Sequence, residues 1–379
     1  MAWLQKLQRK DGSRSYKAYW RDPDSRVRSK TFKRRRDADA FCREIEHEKD
    51  VGTYRDPSLG KVTLGDFWEH FIRTAGPASP STRSLYEMQA RVHLLPRLGG
   101  HRLQSISKPT VRSFLADLQE TGVRPPTVNA VYRLLRRVLN VAVDEGRIAV
   151  NPASRIDSLP RLKREEMRFL DHAQVRALSE EVPGRYKALI LLLAYGGLRI
   201  GEAAALRVKN VDFLRSRVHI VEASKEVDGQ VIVGETKTGR SRTVVLPTFL
   251  REELLDHLAS FGQPSDPDSL VFNGPQGGPL RQHGFRSRVF VPAAKRLDLD
   301  RVRVHDLRHT AVAFAIEAGW HPRKIQEMLG HSSIQVTMDR YGHLFDTLHE
   351  GDADRLDELY RTSSARTGSV VTLHAKPGL

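Results

Sequence analysis

The sequence predicts a multidomain, mainly α-helical protein. A small three-stranded sheet with one helix comes first, then a helical bundle, then a mixed, mostly helical domain with a small antiparallel sheet. Three observations predict this. At 379 residues the chain is too long for one ordinary domain. Alternating polar and apolar runs are confined to its first 36 residues and to positions 217–246. Between them, and again toward the end, apolar residues recur at helical spacing. The expected boundaries are 1–58 for the sheet module, 62–157 for the bundle, 158–167 for a linker, 168–348 for the mixed domain and 349–379 for a tail.

In the first segment, Trp3–Leu7, Tyr16–Trp20 and Ser29–Phe32 alternate as strands, with Asp11-Gly12 and Asp22-Pro23 as turn signals. A helix follows with Ala38, Phe41, Cys42 and Ile45 on one face. In the second, Thr63 caps a helix whose Asp66 completes a capping box and whose Leu64, Phe67, Trp68 and Phe71 are buried. Ser81 starts another helix, and Ser107 and Pro109 open a third with Val111, Phe114, Leu115 and Leu118 inward. Thr127 opens the longest, with an apolar stripe of Val131, Leu134, Leu135, Val138 and Leu139. A connector with Pro152 and Pro160 carries Arg155, Arg161, Lys163 and Arg164. In the third segment Asp171 caps a helix, the apolar Ala188–Tyr195 helix follows, and Arg217–Glu222, Val231–Gly234 and Arg242–Leu246 form one small antiparallel sheet. Helices return after Pro247, and the tail holds an amphipathic stretch, Ala353–Tyr360.

Composition narrows the partners. The net charge is +16, which attracts a polyanion such as nucleic acid or a membrane surface. Residues 1–36 hold 13 Lys/Arg against 3 Asp/Glu, a net of +10, interleaved with Trp3, Tyr16, Tyr19, Trp20 and Phe32. A disordered tail has no use for that alternation, so a folded DNA-binding module is expected, with Lys17, Arg28 and Lys30 as candidate contacts. Arg133, Arg136 and Arg137 lie between the stripe residues of the longest helix and suit phosphates or solvent equally well. The same holds for Arg161 and Lys163 in the connector. The longest apolar run is too short to span a bilayer, and Met1-Ala2-Trp3 opens no signal-peptide core. The single cysteine, Cys42, excludes an internal disulfide framework, so a reducing cytoplasm is expected.

Several polar residues of the third segment sit where a plain core would not put them. Arg199 follows Gly196-Gly197-Leu198, two glycines that let the chain turn so that the next helix starts at Arg199. Glu202, three residues on, shares its face, as in a site or in an ordinary surface salt bridge. Lys237 lies in the turn Thr236-Lys237-Thr238-Gly239-Arg240, with Arg240 a further candidate phosphate contact. His305 and Arg308 are one helical turn apart in His305-Asp306-Leu307-Arg308-His309. His305 and His309 have the spacing of a zinc helix, but Asp306 stands where the glutamate of that motif belongs and no third ligand follows. His331 falls at a helix junction, and Tyr341 follows ten residues later in Tyr341-Gly342-His343. By itself Tyr341 is an ordinary tyrosine.

Taken together, Gly197-Leu198-Arg199-Ile200-Gly201-Glu202, Lys237, His305-Asp306-Leu307-Arg308-His309-Thr310, Leu329-Gly330-His331 and Tyr341-Gly342-His343 resemble the tyrosine recombinase (phage integrase) family in order and spacing. The bundle is similar to the family's core-binding domain, and the first segment to its arm-type DNA-binding domains. The resemblance implies DNA cleavage and rejoining through a 3′-phosphotyrosyl intermediate, integrating and excising a phage or other mobile element. It implies Tyr341 as nucleophile, Arg199 and Arg308 as clamps on the non-bridging phosphate oxygens, and His305 as proton acceptor. It implies Lys237 as the acid for the leaving 5′ oxygen, His331 as a hydrogen-bond donor to the phosphoryl group, and Glu202 as orienter of Arg199 or His305. No cofactor is implied, neither metal nor nucleotide, because two arginines and a lysine supply the positive charge and the phosphotyrosyl bond conserves the energy. The implied partners are double-stranded DNA at core-type and arm-type sites, a homotetramer on that DNA, a host DNA-bending protein and an excisionase, with no membrane. Two rival readings are a type IB topoisomerase-like relaxing enzyme, against which the separate basic module argues, and a non-catalytic DNA-binding regulator.

Overall fold

The computed structural model describes residues 2–8, 14–22, 25–51, 59–157, 159–162, 167–236, 239–262 and 265–346. The expected turns at Asp11-Gly12 and Pro23, together with Lys163, Lys237 and the tail stretch Ala353–Tyr360, lie outside those residues. The chain divides into two compact units, Met1–Arg164 and Glu165–Leu379. Among the described residues no helix is long and apolar enough to cross a membrane.

The first unit opens with an antiparallel sheet in the order β1 (Ala2–Gln8), β2 (Arg14–Arg21), β3 (Val27–Phe32), followed by α1 (Arg35–Asp50). Alternation sets its two faces. Ala18 and Trp20 are buried toward α1, where the Trp20 and Phe41 rings meet edge to face at 5.2 Å. Opposite them, Trp3 pairs with Tyr19 and Gln5 with Lys17, leaving an outer face on which the Trp3 and Tyr19 rings stack at 5.5 Å.

The rest of the unit is a bundle: α2 (Leu64–Thr74), α3 (Pro80–Gln89), a short α4 (Leu95–Leu98), α5 (Lys108–Glu120) and α6 (Pro125–Asp144). A π-helical turn, Ala90–Leu94, joins α3 to α4. The expected apolar faces of α2, α5 and α6 are all in its core. Two starts differ from expectation. Helix α3 begins at Pro80 rather than Ser81, and α6 at Pro125 rather than Thr127, because proline lacks only an N–H that a first helical turn does not use. The Thr63 hydroxyl caps α2 as expected, but Asp66 accepts from that hydroxyl at 2.6 Å instead of completing the expected capping box at the Thr63 backbone N–H.

The second unit begins with α7 (His172–Glu181), capped by Asp171 and closed by a reciprocal bond from Gln174. Helix α8 (Lys187–Gly196) is buried on every side from Ala188 to Ala194, which explains its unbroken apolar run. It packs against α13 (Val304–Glu317) at the centre of the unit's core. Around this pair lie α9 (Ile200–Ala204), α10 (Thr248–Phe261), α11 (Gln282–Phe285), α12 (Val291–Arg296), α14 (Pro322–Leu329) and α15 (Ile334–Asp346).

The strands of this unit form two sheets instead of the expected one. Strands β4 (Val211–Asp212), β5 (Arg217–Ile220) and β8 (Arg242–Val245) make a three-stranded sheet, while β6 (Glu222–Val227) and β7 (Gln230–Glu235) pair as a separate hairpin. The break falls at exposed Val221, and Gly229 at φ +78° closes the hairpin. Strands β7 and β8, consecutive in the chain, thus belong to different sheets.

Candidate active site

Two helix N-termini present the site. Gly197 ends α8 at φ +66°, in the left-handed region, so the chain reverses and Arg199 becomes the N-cap of α9. Glu202, at the third position of α9, reaches back to accept from the Arg199 backbone N–H at 2.8 Å. Helix α13 repeats the device. Asp306 accepts from the Arg303 N–H at 2.8 Å, and the Thr310 hydroxyl bonds the Asp306 carbonyl at 3.0 Å while accepting from Leu170 N–H. Asp306 and Thr310 therefore fix the start of the helix, and Arg308 and His309 face inward from it.

Glu202 is the hub. It is only 2% exposed and gathers three guanidinium groups. Arg199 donates to Oε1 at 2.7 Å, and Arg242 donates to both oxygens at 3.0 and 2.6 Å. Arg308 stands 4.0 Å away. Burial alone would raise the Glu202 carboxyl, but the hydrogen bonds and charge of Arg242 override it and hold the group at about 2. Arg308 is fixed by backbone, donating to the carbonyls of Gly197 and Leu329. Burial and the neighbouring Arg199 charge lower its pKa to about 9, so it keeps its proton at neutral pH. Arg242 was not singled out in the sequence. It occupies the inward register of β8, in line with buried Val244 and Leu246, and a charged residue in that phase must have a buried partner. Its Nε also donates to the Met328 carbonyl at 2.8 Å, tying β8 to the end of α14.

Gly330, at φ +65°, ends α14 and turns the chain toward His331. His331 lies beside Arg240, Arg242 and Ser332 along a cavity of about 710 Å³. Its Nδ1 is 3.0 Å from the hydroxyl of Thr337, which is fully buried. Burial and then the Arg308 and Arg199 charges lower the His331 pKa to about 4, so the ring is neutral at pH 7. A Thr337 hydroxyl donating to Nδ1 would leave the ring proton on Nε2, the tautomer needed to donate outward.

Tyr341 is 1% exposed, and its hydroxyl lies 2.6 Å from His309 Nδ1. Burial raises the phenol, and the nearby Arg308 and Arg340 charges offset this only in part. His309, the residue on the Tyr341 hydroxyl, carries no assigned role in the sequence reading beyond its zinc-like spacing and its place in the family-like motif. His305, the expected proton acceptor, is exposed, and its ring meets His309 edge-on at 4.9 Å. Partial desolvation of its ring by the neighbouring side chains and the Arg308 charge lower the His305 pKa. Of the six expected catalytic residues, the structure groups Arg199, His305, Arg308, His331 and Tyr341, and Lys237 lies outside the described residues.

The candidate DNA contacts divide. Lys17 lies on the outer sheet face, 5.1 Å from the Tyr19 ring. Lys30 and Arg28 belong to the other face: Lys30 sits over the Phe41 ring at 4.7 Å, and Arg28 is 3.1 Å from Asp22. Arg133, Arg136, Arg137, Arg161 and Arg240 are exposed.

Comparison with known proteins follows this geometry. Residues 168–347 match the model of the phage integrase family. The ICEBs1 integrase of Bacillus subtilis is 30% identical over 271 residues, covering 68% of this chain and 72% of that one. The chain belongs to the phage integrase family. As a phage integrase relative it is a site-specific tyrosine recombinase, a DNA strand transferase of a phage or other mobile element. The integrase of Mycobacterium phage L5 is 26% identical and covers 88% of this chain and 91% of its own. Among solved structures, the Tn1549 transposon integrase, in complex with a circular-intermediate DNA, superposes with a TM-score of 0.67 at 21% identity, covering 78% of this chain and 99% of that one. A lambda integrase dimer bound to a core site gives 0.58 at 17%, covering 88% and 93%. At those identities the likeness shows the shared integrase fold, mostly helical with small antiparallel sheets.

Proposed function

We propose that this recombinase integrates and excises its mobile element by cutting DNA with Tyr341 and rejoining it through a 3′-phosphotyrosyl bond. One observation carries the reading: Arg199, Arg308 and Arg242 gather on the buried Glu202 carboxylate within a site that also holds His331 and Tyr341. A phosphodiester is an anion, and its five-coordinate transition state places more charge on the equatorial oxygens. Arg199 and Arg308 bind the two non-bridging oxygens, and His331 donates to them from Nε2. The Tyr341 oxygen attacks phosphorus, the bond to the 5′ oxygen breaks, and Lys237 protonates that oxygen as it leaves. His305, at the mouth of the site, takes up the tyrosine proton. A 5′ hydroxyl from another strand then displaces the tyrosine, so no external energy source enters.

The domain boundaries fit this work. Residues 1–58 form the arm-type module, 62–157 the core-binding bundle, 158–167 a linker, 168–348 the catalytic domain and 349–379 a tail. Lys17 on the outer sheet face and Arg133, Arg137, Arg161, Lys163 and Arg240 meet phosphates. Arg28 and Lys30, on the helix side of the sheet, do so from its edge. The working unit is a homotetramer on core-type and arm-type DNA, acting at the nucleoid in a bacterial cytoplasm with a host DNA-bending protein and an excisionase. The lambda integrase tetramer bound to a Holliday junction supports the tetramer by analogy of fold. The test is Tyr341→Phe on duplex DNA carrying the element's attachment site. Binding should persist while covalent protein–DNA adducts vanish, and adducts formed by the phenylalanine variant would refute the nucleophile assignment.

A further inference from the structure

Helix α15 carries Tyr341, and two hydroxyl contacts add to its apolar attachment. Ile334, Val336 and Met338 are 40%, 37% and 37% exposed, whereas Thr337 and Tyr341, one helical turn apart, are fully enclosed. Each of these two hydroxyls meets a histidine on another element: Thr337 meets His331 at 3.0 Å, and Tyr341 meets His309 of α13 at 2.6 Å. The Tyr341 ring itself joins the core, and Leu344 and Phe345 rest against it near the end of the helix. An enclosed hydroxyl cannot line up behind the phosphorus of a duplex. Attack by Tyr341 therefore requires that its bond to His309 break and that α15 shift.

We propose that His309 is a positioning residue for the nucleophile, holding the Tyr341 hydroxyl withdrawn in the DNA-free protein until α15 is displaced. The phenol donates and the imidazole Nδ1 accepts. Burial and the adjacent His305 lower the His309 pKa to about 4, so the ring is a neutral acceptor at neutral pH. The charged groups facing the pair are Arg303, Asp306 and Arg308 at the start of α13 and Arg340 from α15. The significance of the contact rests on Tyr341 being the nucleophile, which the adduct experiment addresses on its own.

Hydrogen exchange of the full chain without DNA tests the contact separately. Loss of one neutral hydrogen bond should speed exchange of the α15 amides about fivefold. His309→Ala and Tyr341→Phe should each do so, and the double variant should go no further, while α8 and α13 exchange as in the wild type. His309→Asn, which keeps an acceptor near the same place, should restore protection. Effects that multiply in the double variant, or a general loss of protection across the unit, would overturn the proposal. Should His309→Ala fail to fold, His309→Asn and Tyr341→Phe decide it, and asparagine exchanging as fast as phenylalanine counts against the contact.

Discussion

Replacing Arg242 with methionine keeps the length of the side chain and removes its charge and donors. Three hydrogen bonds disappear: two to the Glu202 carboxylate and one to the Met328 carbonyl. Glu202 is left 2% exposed with a single hydrogen-bonded cation, Arg199, and Arg308 at 4.0 Å. Removing one partner of a buried ion pair typically costs about 3–5 kcal/mol, because the other charge stays desolvated. Arg199 and Arg308 still offset part of that here, so a loss of about 3 kcal/mol is expected. That is a large share of the roughly 5–15 kcal/mol that holds a domain folded. Urea unfolding followed by Trp320 fluorescence reads the second unit, since Trp320 packs on its core. Adding Glu202→Gln to the methionine variant should recover only part of the loss, because it removes the under-paired carboxylate but also the anion beside Arg199 and buried Arg308. A loss below about 1 kcal/mol, typical of exposed pairs, would refute the view of Glu202 and Arg242 as a buried hub.

Two further outcomes are expected. His309 is buried and neutral in the folded protein, with its pKa lowered to about 4. Between about pH 4 and 6.5 the unfolded chain therefore binds the extra proton, and stability is full above 6.5 and falls with pH, by about 2 kcal/mol at pH 5 for this one residue. Thermal melts from pH 7.5 to 5 check this, and the slope should flatten in His309→Asn. Gly197→Ala places a Cβ at φ +66°, with the side chains of Ala311 and Met328 at 3.4 Å. A cost of about 1–2 kcal/mol is expected from the backbone alone, together with slower strand cleavage, because the Gly197 carbonyl holds Arg308. Denaturant melts and single-turnover cleavage read the two effects.

How much of this was legible in the sequence depended on the range of the interaction. The spacing of His305 and Arg308 on one helix was readable because the α-helical period fixes it. So were the Arg199 and Glu202 pair, the buried α8 and the stripes of the bundle. Short-range rules went astray by a residue or two at α3 and α6, where proline opened the helix. The division of the strands into two sheets was missed because alternation runs through Val221, and only the pairing of β5 with β8 shows that β6 and β7 have left. Arg242 carried a signal that was passed over, a charge in the inward phase of a strand. The contact of His309 with Tyr341 carried none, since the two lie 32 positions apart and meet only through the packing of α13 against α15.

The way Arg308 is held bears on how this protein can diverge. Its two protein acceptors are the carbonyls of Gly197 and Leu329, at the C-terminal ends of α8 and α14, where helix dipoles favour a cation. Carbonyls are present whatever side chains those positions carry. The geometry asks only that each helix stop where it does, and the glycines at φ +66° and +65° secure that. Lineages can therefore exchange most of the residues around this guanidinium and still inherit its position.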